Sequence, residues 1–193
     1  MVEIRHVQTI DELRACEDLQ FHAWRMPEYR EVVPLHLLVA GQKAGGLLLA
    51  AFDGSRVVGF VFGFPGRTRE GRPYHYSHMM AVAPDLQGRG IGWQLKCAQR
   101  EAVLAQGLDR TCWTYDPLEV RNAHLNIAKL GAVCRTYLRD LYGSMTDGLN
   151  AGLPSDRFQV DWWIAGRRVA ERLARRGGAG VAEPGAWALP GVE

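Results

Sequence analysis

Val82-Ala83-Pro84-Asp85-Leu86-Gln87-Gly88-Arg89-Gly90-Ile91-Gly92 is the most informative stretch of this chain. An apolar run, residues 79–83, leads into it, and a helical pattern, residues 91–107, leads out. The spacing predicts a strand ending near Ala83, a turn at Pro84-Asp85, and a helix entered through a loop of glycines. Without a Cβ, Gly88 and Gly90 let the backbone turn sharply and let a ligand approach it closely. The first amides of a helix have no partner within it, and the helix dipole is positive at that end. Such a junction binds anions and suits a pyrophosphate. Arg89 adds a cation.

Two other glycine motifs fail here. The dinucleotide fingerprint needs a third Gly where Trp93 stands, and a P-loop needs a closing Gly-Lys-Ser/Thr that is absent. What remains is Gln-x-x-Gly-x-Gly, formed by Gln87, Gly90 and Gly92, just after a strand ending in Val-x-Pro. On these residues the chain resembles the GCN5-related N-acetyltransferases, the GNAT superfamily, whose acyl-CoA signature is Gln/Arg-x-x-Gly-x-Gly/Ala at this junction. The alternative is a glycine-rich turn without a ligand, which the flanking strand and helix disfavour.

The rest of the chain is read outward from the loop. Residues 2–7 alternate as a first strand. Thr9-Ile10-Asp11-Glu12 is a capping box that opens a helix to about Trp24. Pro34 suits a first helical position, and Gly45-Gly46 ends that second helix. Residues 47–52 and 57–64 form a hairpin around Asp53-Gly54-Ser55-Arg56. Residues 65–73 read as a polar loop and residues 74–83 as the strand before the glycine loop. Residues 110–115 are a fifth strand. Asp116-Pro117-Leu118-Glu119 reads as the cap of a second long helix closed by Gly131. Residues 133–141 and 158–164 complete the strands.

The order β-α-α-β-β-β-α-β-α-β-β is that of the GNAT fold. It implies an α/β (α+β) domain over residues 1–165, with a central mixed and mostly antiparallel twisted sheet of about seven strands, helices on both faces and splayed middle strands. Lys129-Leu130-Gly131-Ala132 is similar to the Lys-Leu-Gly-Phe that often ends the second conserved helix of the family. Residues 166–193 divide into a basic helix, whose arginines read as a solvated face, and a Gly/Ala/Pro-rich tail expected to be poorly ordered and dispensable.

Composition narrows the function classes. The 193 residues, 47% of them hydrophobic, suffice for one sizeable core. A net charge of +2 favours neither an extended nucleic-acid surface nor a membrane surface. Cys16, Cys97, Cys112 and Cys134 form no Cys-x-x-Cys pair, so no metal or redox site is expected. No signal-peptide core follows Met1, and the longest apolar run, residues 47–52, is too short to span a bilayer. A cytoplasmic protein is expected.

By resemblance, acetyl-CoA or another acyl-CoA is the co-substrate, and pantetheine lies between the splayed strands. Backbone groups of Met80, Ala81 and Val82 are expected on its amides. Residues Gln87, Gly88, Arg89, Gly90, Ile91 and Gly92 are expected around the pyrophosphate. Asn122 and Asn126, four apart and followed by Lys129, form one polar helix face in this reading and are assigned to the cofactor. Where many family members carry a proton-donating Tyr, this chain has Ile127, which leaves Tyr115, Tyr137 and Tyr142 as substitutes.

Acyl transfer requires a deprotonated amine and therefore a base. His78 is the candidate; by parity it shares a face with Tyr76, Met80 and Val82 unless a bulge intervenes. A buried structural histidine is the competing reading. Glu28 and Glu31, in the loop between the first two helices, and Asp116 are the other candidates. Ser77-His78-Met79 with Asp116-Pro117-Leu118 looks like a subgroup of GNAT proteins assigned mostly by prediction. The expected activity is transfer of an acetyl or other short acyl group to a primary amine, with a small molecule such as an amino acid as partner. The alternatives are a non-catalytic acyl-CoA-binding module and a protein N-acetyltransferase. A homodimer is the assembly considered.

Overall fold

The computed structural model describes residues 2–175. Seven strands form one sheet in the order β1-β2-β3-β4-β5-β7-β6. They are β1 (Glu3–His6), β2 (Leu47–Asp53), β3 (Arg56–Arg67), β4 (Pro73–Val82), β5 (Arg110–Tyr115), β6 (Val133–Leu138) and β7 (Arg157–Trp163). Every pairing is antiparallel except β4 with β5. This is the mixed, mostly antiparallel sheet expected from the sequence. β2 and the start of β3 are apolar without alternation because helices cover both faces there.

The faces follow from two glycines. A Cβ on Gly59 of β3 would touch Ile91 and Leu95 of α3 (Ile91–Ala105). Gly41 of α2 (Leu35–Lys43) lies against the ring of Phe62, three residues along β3 and therefore on the opposite face. So α3 packs on one face, and α1 (Ile10–Ala23) with α2 on the other. The capping box of α1 forms as expected: Thr9 Oγ1 accepts from Glu12 N–H, and the Glu12 carboxylate accepts from Thr9 N–H. The buried Gln20 side chain then ties α1 to the following loop, donating to Val33 O (3.2 Å) and accepting from Val33 N–H (2.8 Å).

Three expectations about element boundaries change. The polar loop expected at residues 65–73 shrinks to residues 68–72, because β3 and β4 stay paired out to Arg67 and Pro73. Cross-strand pairing there outweighs the local proline and glycine signals. The second long helix is a single turn, α4 (Val120–Ala123), continued by a π-helical segment, His124–Lys129. Asp116 does not cap it. Its carboxylate accepts from Leu118 N–H (2.8 Å) in a local turn, and Pro117 stays outside the helix. β6 stops at Leu138, short of the expected residue 141.

Helix α5 (Arg167–Ala174) packs on the end of that π-helical segment. Val169 is 2% exposed. Arg167, Arg168 and Arg175 are exposed as expected, and two arginines of this helix also donate to backbone carbonyls at the end of the π-helical segment: Arg168 Nε to Gly131 O (3.0 Å) and an Arg172 N–H to Ala128 O (3.3 Å). Val169→Asp should therefore lower stability by about 2–4 kcal/mol; an unchanged urea midpoint would show that α5 does not hold the domain together. The Gly/Ala/Pro-rich stretch from residue 177 lies outside the described residues. Among the described residues no helix is long and apolar enough to cross a membrane.

Candidate functional site

β4 and β5 are paired only at His75↔Thr111 and Tyr76↔Cys112. Beyond those couples the strands part, leaving a gap between residues 77–82 and residues 113–115. Ala83 N–H donates to Val58 O (2.9 Å), and Ala81 O lies against Gly59, so both residues face β3. By the period of two, Met80 and Val82 turn their N–H and C=O groups to the gap. Of the three residues expected to line pantetheine, Met80 and Val82 therefore can, and Ala81 is committed to β3.

The glycine loop closes the wide end of the gap. Gly88 and Gly90 have φ of +80° and +85°, which L side chains rarely adopt, and a Cβ on either would meet no protein atom within 4 Å. The space above the loop is open. Gly90 is the N-cap of α3, whose first internal bond runs from Gln94 N–H to Gly90 O (3.1 Å). The amides of Ile91, Gly92 and Trp93 precede that bond. No acidic residue stands in the first turn of α3. Asp85 is neutralised by Arg56, whose two N–H groups contact its carboxylate at 3.2 and 3.3 Å and hold its pKa down. Arg89 is exposed beside the loop. Gln87 donates to Val82 O (3.4 Å), tying the loop back to the strand end.

A bulge corrects the expected placement of His78. The register shifts so that Phe62 pairs with Met79 but Gly63 with Ser77, which leaves His78 as the extra residue of β4. The shift breaks the parity. Val82 and Met80 face α3 beside Gly92, whereas His78 lies with Phe62, Phe64 and Tyr76 on the α1/α2 face, at ring distances of 5.8 to 6.3 Å. The ring is surface-exposed rather than buried, yet these neighbours desolvate it enough to lower its pKa.

Of the three tyrosines named as substitutes, Tyr142 places its hydroxyl 3.2 Å from Thr114 Oγ1 on the β5 arm of the gap. Tyr137 is bonded to Asp156, and Tyr115 is buried against Phe158. Tyr76 lies beside Tyr142 and Thr114; its pKa is pushed up to about 12, by burial first and then by Tyr142. Tyr142 is carried by the β6–β7 loop, residues 139–156. Buried Asp147 accepts from the N–H groups of Leu149 and Asn150, Ser155 joins Asp140 to Tyr142 N–H, and Arg157 holds Asn150. The loop also reaches the end of α1: Gly148 N–H donates to Arg25 O (3.2 Å). Glu28 and Glu31 are exposed in the α1–α2 loop just beyond Arg25.

Asn122 and Asn126 differ in exposure and do not form one solvent-open polar face. Asn122 is exposed and Asn126 is 3% exposed; the segment from His124 onward winds as a π-helix, with Leu130 N–H bonded to Leu125 O (2.9 Å). A hollow lined by Thr68, Glu70, Arg72, Asp109, Arg110 and Trp163 lies at the opposite end of β4 and β5. Among the described residues no cluster of His, Cys, Asp and Glu is arranged to hold a metal.

The sequence model of the acetyltransferase (GNAT) family matches residues 9–130. The chain belongs to this family. Solved structures share the GNAT fold. The ribosomal-protein-S18-alanine N-acetyltransferase of Escherichia coli superposes with a TM-score of 0.66 at 17% identity, covering 86% of this chain and 97% of that one. The yncA protein of Salmonella typhimurium, solved with its cofactor acetyl-CoA, gives 0.67 at 17% identity, with 84% and 94% covered. The IAA acetyltransferase of Bacillus cereus gives 0.62 at 20% identity, with 83% and 98% covered. A search of curated proteins finds no match. At these identities the likeness extends to the GNAT fold and not to a substrate. The residues present fit acyl-CoA: an open glycine loop with helix amides for the pyrophosphate, and an unpaired strand edge for the pantetheine amides.

Proposed function

We propose that this chain transfers an acetyl or other short acyl group from acyl-CoA directly to the primary amine of a small molecule. The observation that carries the reading is the opening between β4 and β5, with the anion loop at its wide end and His78 beside its narrow end. In this reading the loop amides and Arg89 hold the pyrophosphate, and Met80 and Val82 hold the pantetheine arm along β4. The thioester then lies near the last paired couple. A neutral His78 takes a proton from the amine, directly or through water, as its nitrogen attacks the thioester carbon.

The bond between Gly148 and Arg25 supports a small acceptor. It joins the α1–α2 and β6–β7 loops on the face that carries His78, which restricts passage of an extended polypeptide. Glu28 and Glu31, near that bond, are suited to recognise a cationic amine. The four free cysteines agree with a reducing cytoplasm.

Mass spectrometry of the ligand that copurifies with the protein, followed by a CoA-release screen over amines and acyl donors, tests the reading. A CoA-type ligand and release with small amines are expected. A CoA-type ligand without release for any amine would favour a binding module, and release only with peptides would favour a protein N-acetyltransferase.

A further inference from the structure

Lys96 stands in the middle of α3, yet it is 3% exposed. Its ammonium donates to Ser77 Oγ (2.8 Å) and Gln99 Oε1 (3.1 Å) and lies 3.9 Å from the centroid of the Trp113 ring. Ser77 and Trp113 are the first residues past the last paired couple, Tyr76↔Cys112, one on each arm of the gap. Lys96 therefore bridges the vertex from the α3 face, opposite the face that carries His78.

The groups around Lys96 are Ser77 and His75 from β4, Gln99 from α3 itself, and Cys112 and Trp113 from β5. None of them is a carboxylate. His75 is fully buried and neutral: burial, then Lys96, depresses its pKa to about 3, and its Nε2 faces the Gln99 amide at 3.1 Å. Burial also brings Lys96 down to about 7. A buried cation without a counter-ion is costly, and an apolar residue would complete the helix face at lower cost. Its position at the vertex suggests that an anion arrives there during the reaction.

We propose that the Lys96 ammonium stabilises the CoA thiolate that departs at the vertex of the gap. This rests on the reading that acyl-CoA occupies the gap. The amine lone pair forms the C–N bond, and the C–S pair leaves on sulfur. The proton on nitrogen goes to His78 or water, and the thiolate is protonated from solvent on release. The ammonium form of Lys96 acts by charge and passes no proton to the sulfur, which offsets the absence of a tyrosine at Ile127.

The test is the ionisation of the CoA thiol in the complex, followed by thiolate absorbance with the desulfo-CoA complex as blank. In the wild type the bound thiol should titrate about one unit or more below the thiol of free CoA in the same buffer. In Lys96→Met, which keeps the length of the stem, that depression should vanish while desulfo-CoA affinity holds. Lys96→Arg should retain it. If Lys96→Met melts early, Lys96→Gln serves in its place. An equal thiol pKa in wild type and variant, or no depression in the wild type, overturns the proposal and leaves the acyl-CoA reading standing. Failure of the wild type to bind either CoA or desulfo-CoA overturns both.

Discussion

His78→Gln lowers turnover by about 10²–10⁴, the range expected for loss of one general base, with CoA affinity and melting temperature unchanged. The substituted ring is exposed among Phe62, Phe64 and Tyr76, so no buried hydrogen-bond network depends on it. Desolvation by these rings lowers its pKa below the ordinary 6.5. The base is then neutral and competent at pH 7. Since only the neutral imidazole accepts a proton, the ascending limb of the pH–rate profile should lie below the ordinary histidine value. Glutamine cannot titrate, so the variant should lose that limb and retain the limb due to the amine. Near-normal turnover with the acid limb intact would exclude His78, and Glu28 and Glu31 would be examined next.

For Gly90→Val the expected result is a loss of CoA affinity of well over tenfold. Two effects act together. The φ of +85° is strained for any β-branched residue. The new methyl groups also enter the open space over the first amides of α3, where the pyrophosphate is placed. Apart from its chain neighbours, no protein atom lies within 4 Å of the added Cβ, so beyond the backbone strain the side chain collides with the ligand rather than with the fold. Calorimetry with CoA on the folded variant checks this, and an affinity equal to wild type would move the pyrophosphate elsewhere. The neighbouring position is a contrast. A Cβ on Gly92 would sit 3.4 Å from Met80 Cε, an ordinary contact, so Gly92→Ala should change affinity far less.

The primary sequence determined those features that depend on local chemistry. Gln87-x-x-Gly90-x-Gly92 between an apolar strand and a helix specified the anion loop, because left-handed backbone and free helix amides are properties of a few adjacent residues. Thr9 and Glu12 specified the start of α1 for the same reason. Hydrophobic periodicity placed seven strands and the first three helices within a few residues of their observed bounds, and through them the fold.

Only tertiary structure decided which side chains share a space. The β4 bulge at His78 separates it from Met80 and Val82, and a bulge arises from pairing between strands, which period-two counting within one strand does not register. The packing of the helical segment likewise buries Asn126 and leaves Asn122 exposed, a difference that the four-residue spacing does not contain. Tyr142 meets Thr114 from 28 residues away because the β6–β7 loop carries its own network of buried polar groups. No motif in the sequence around Lys96 marks it. Its burial follows from where α3 crosses the vertex of β4 and β5, a relation among three elements that the order of residues along the chain does not contain.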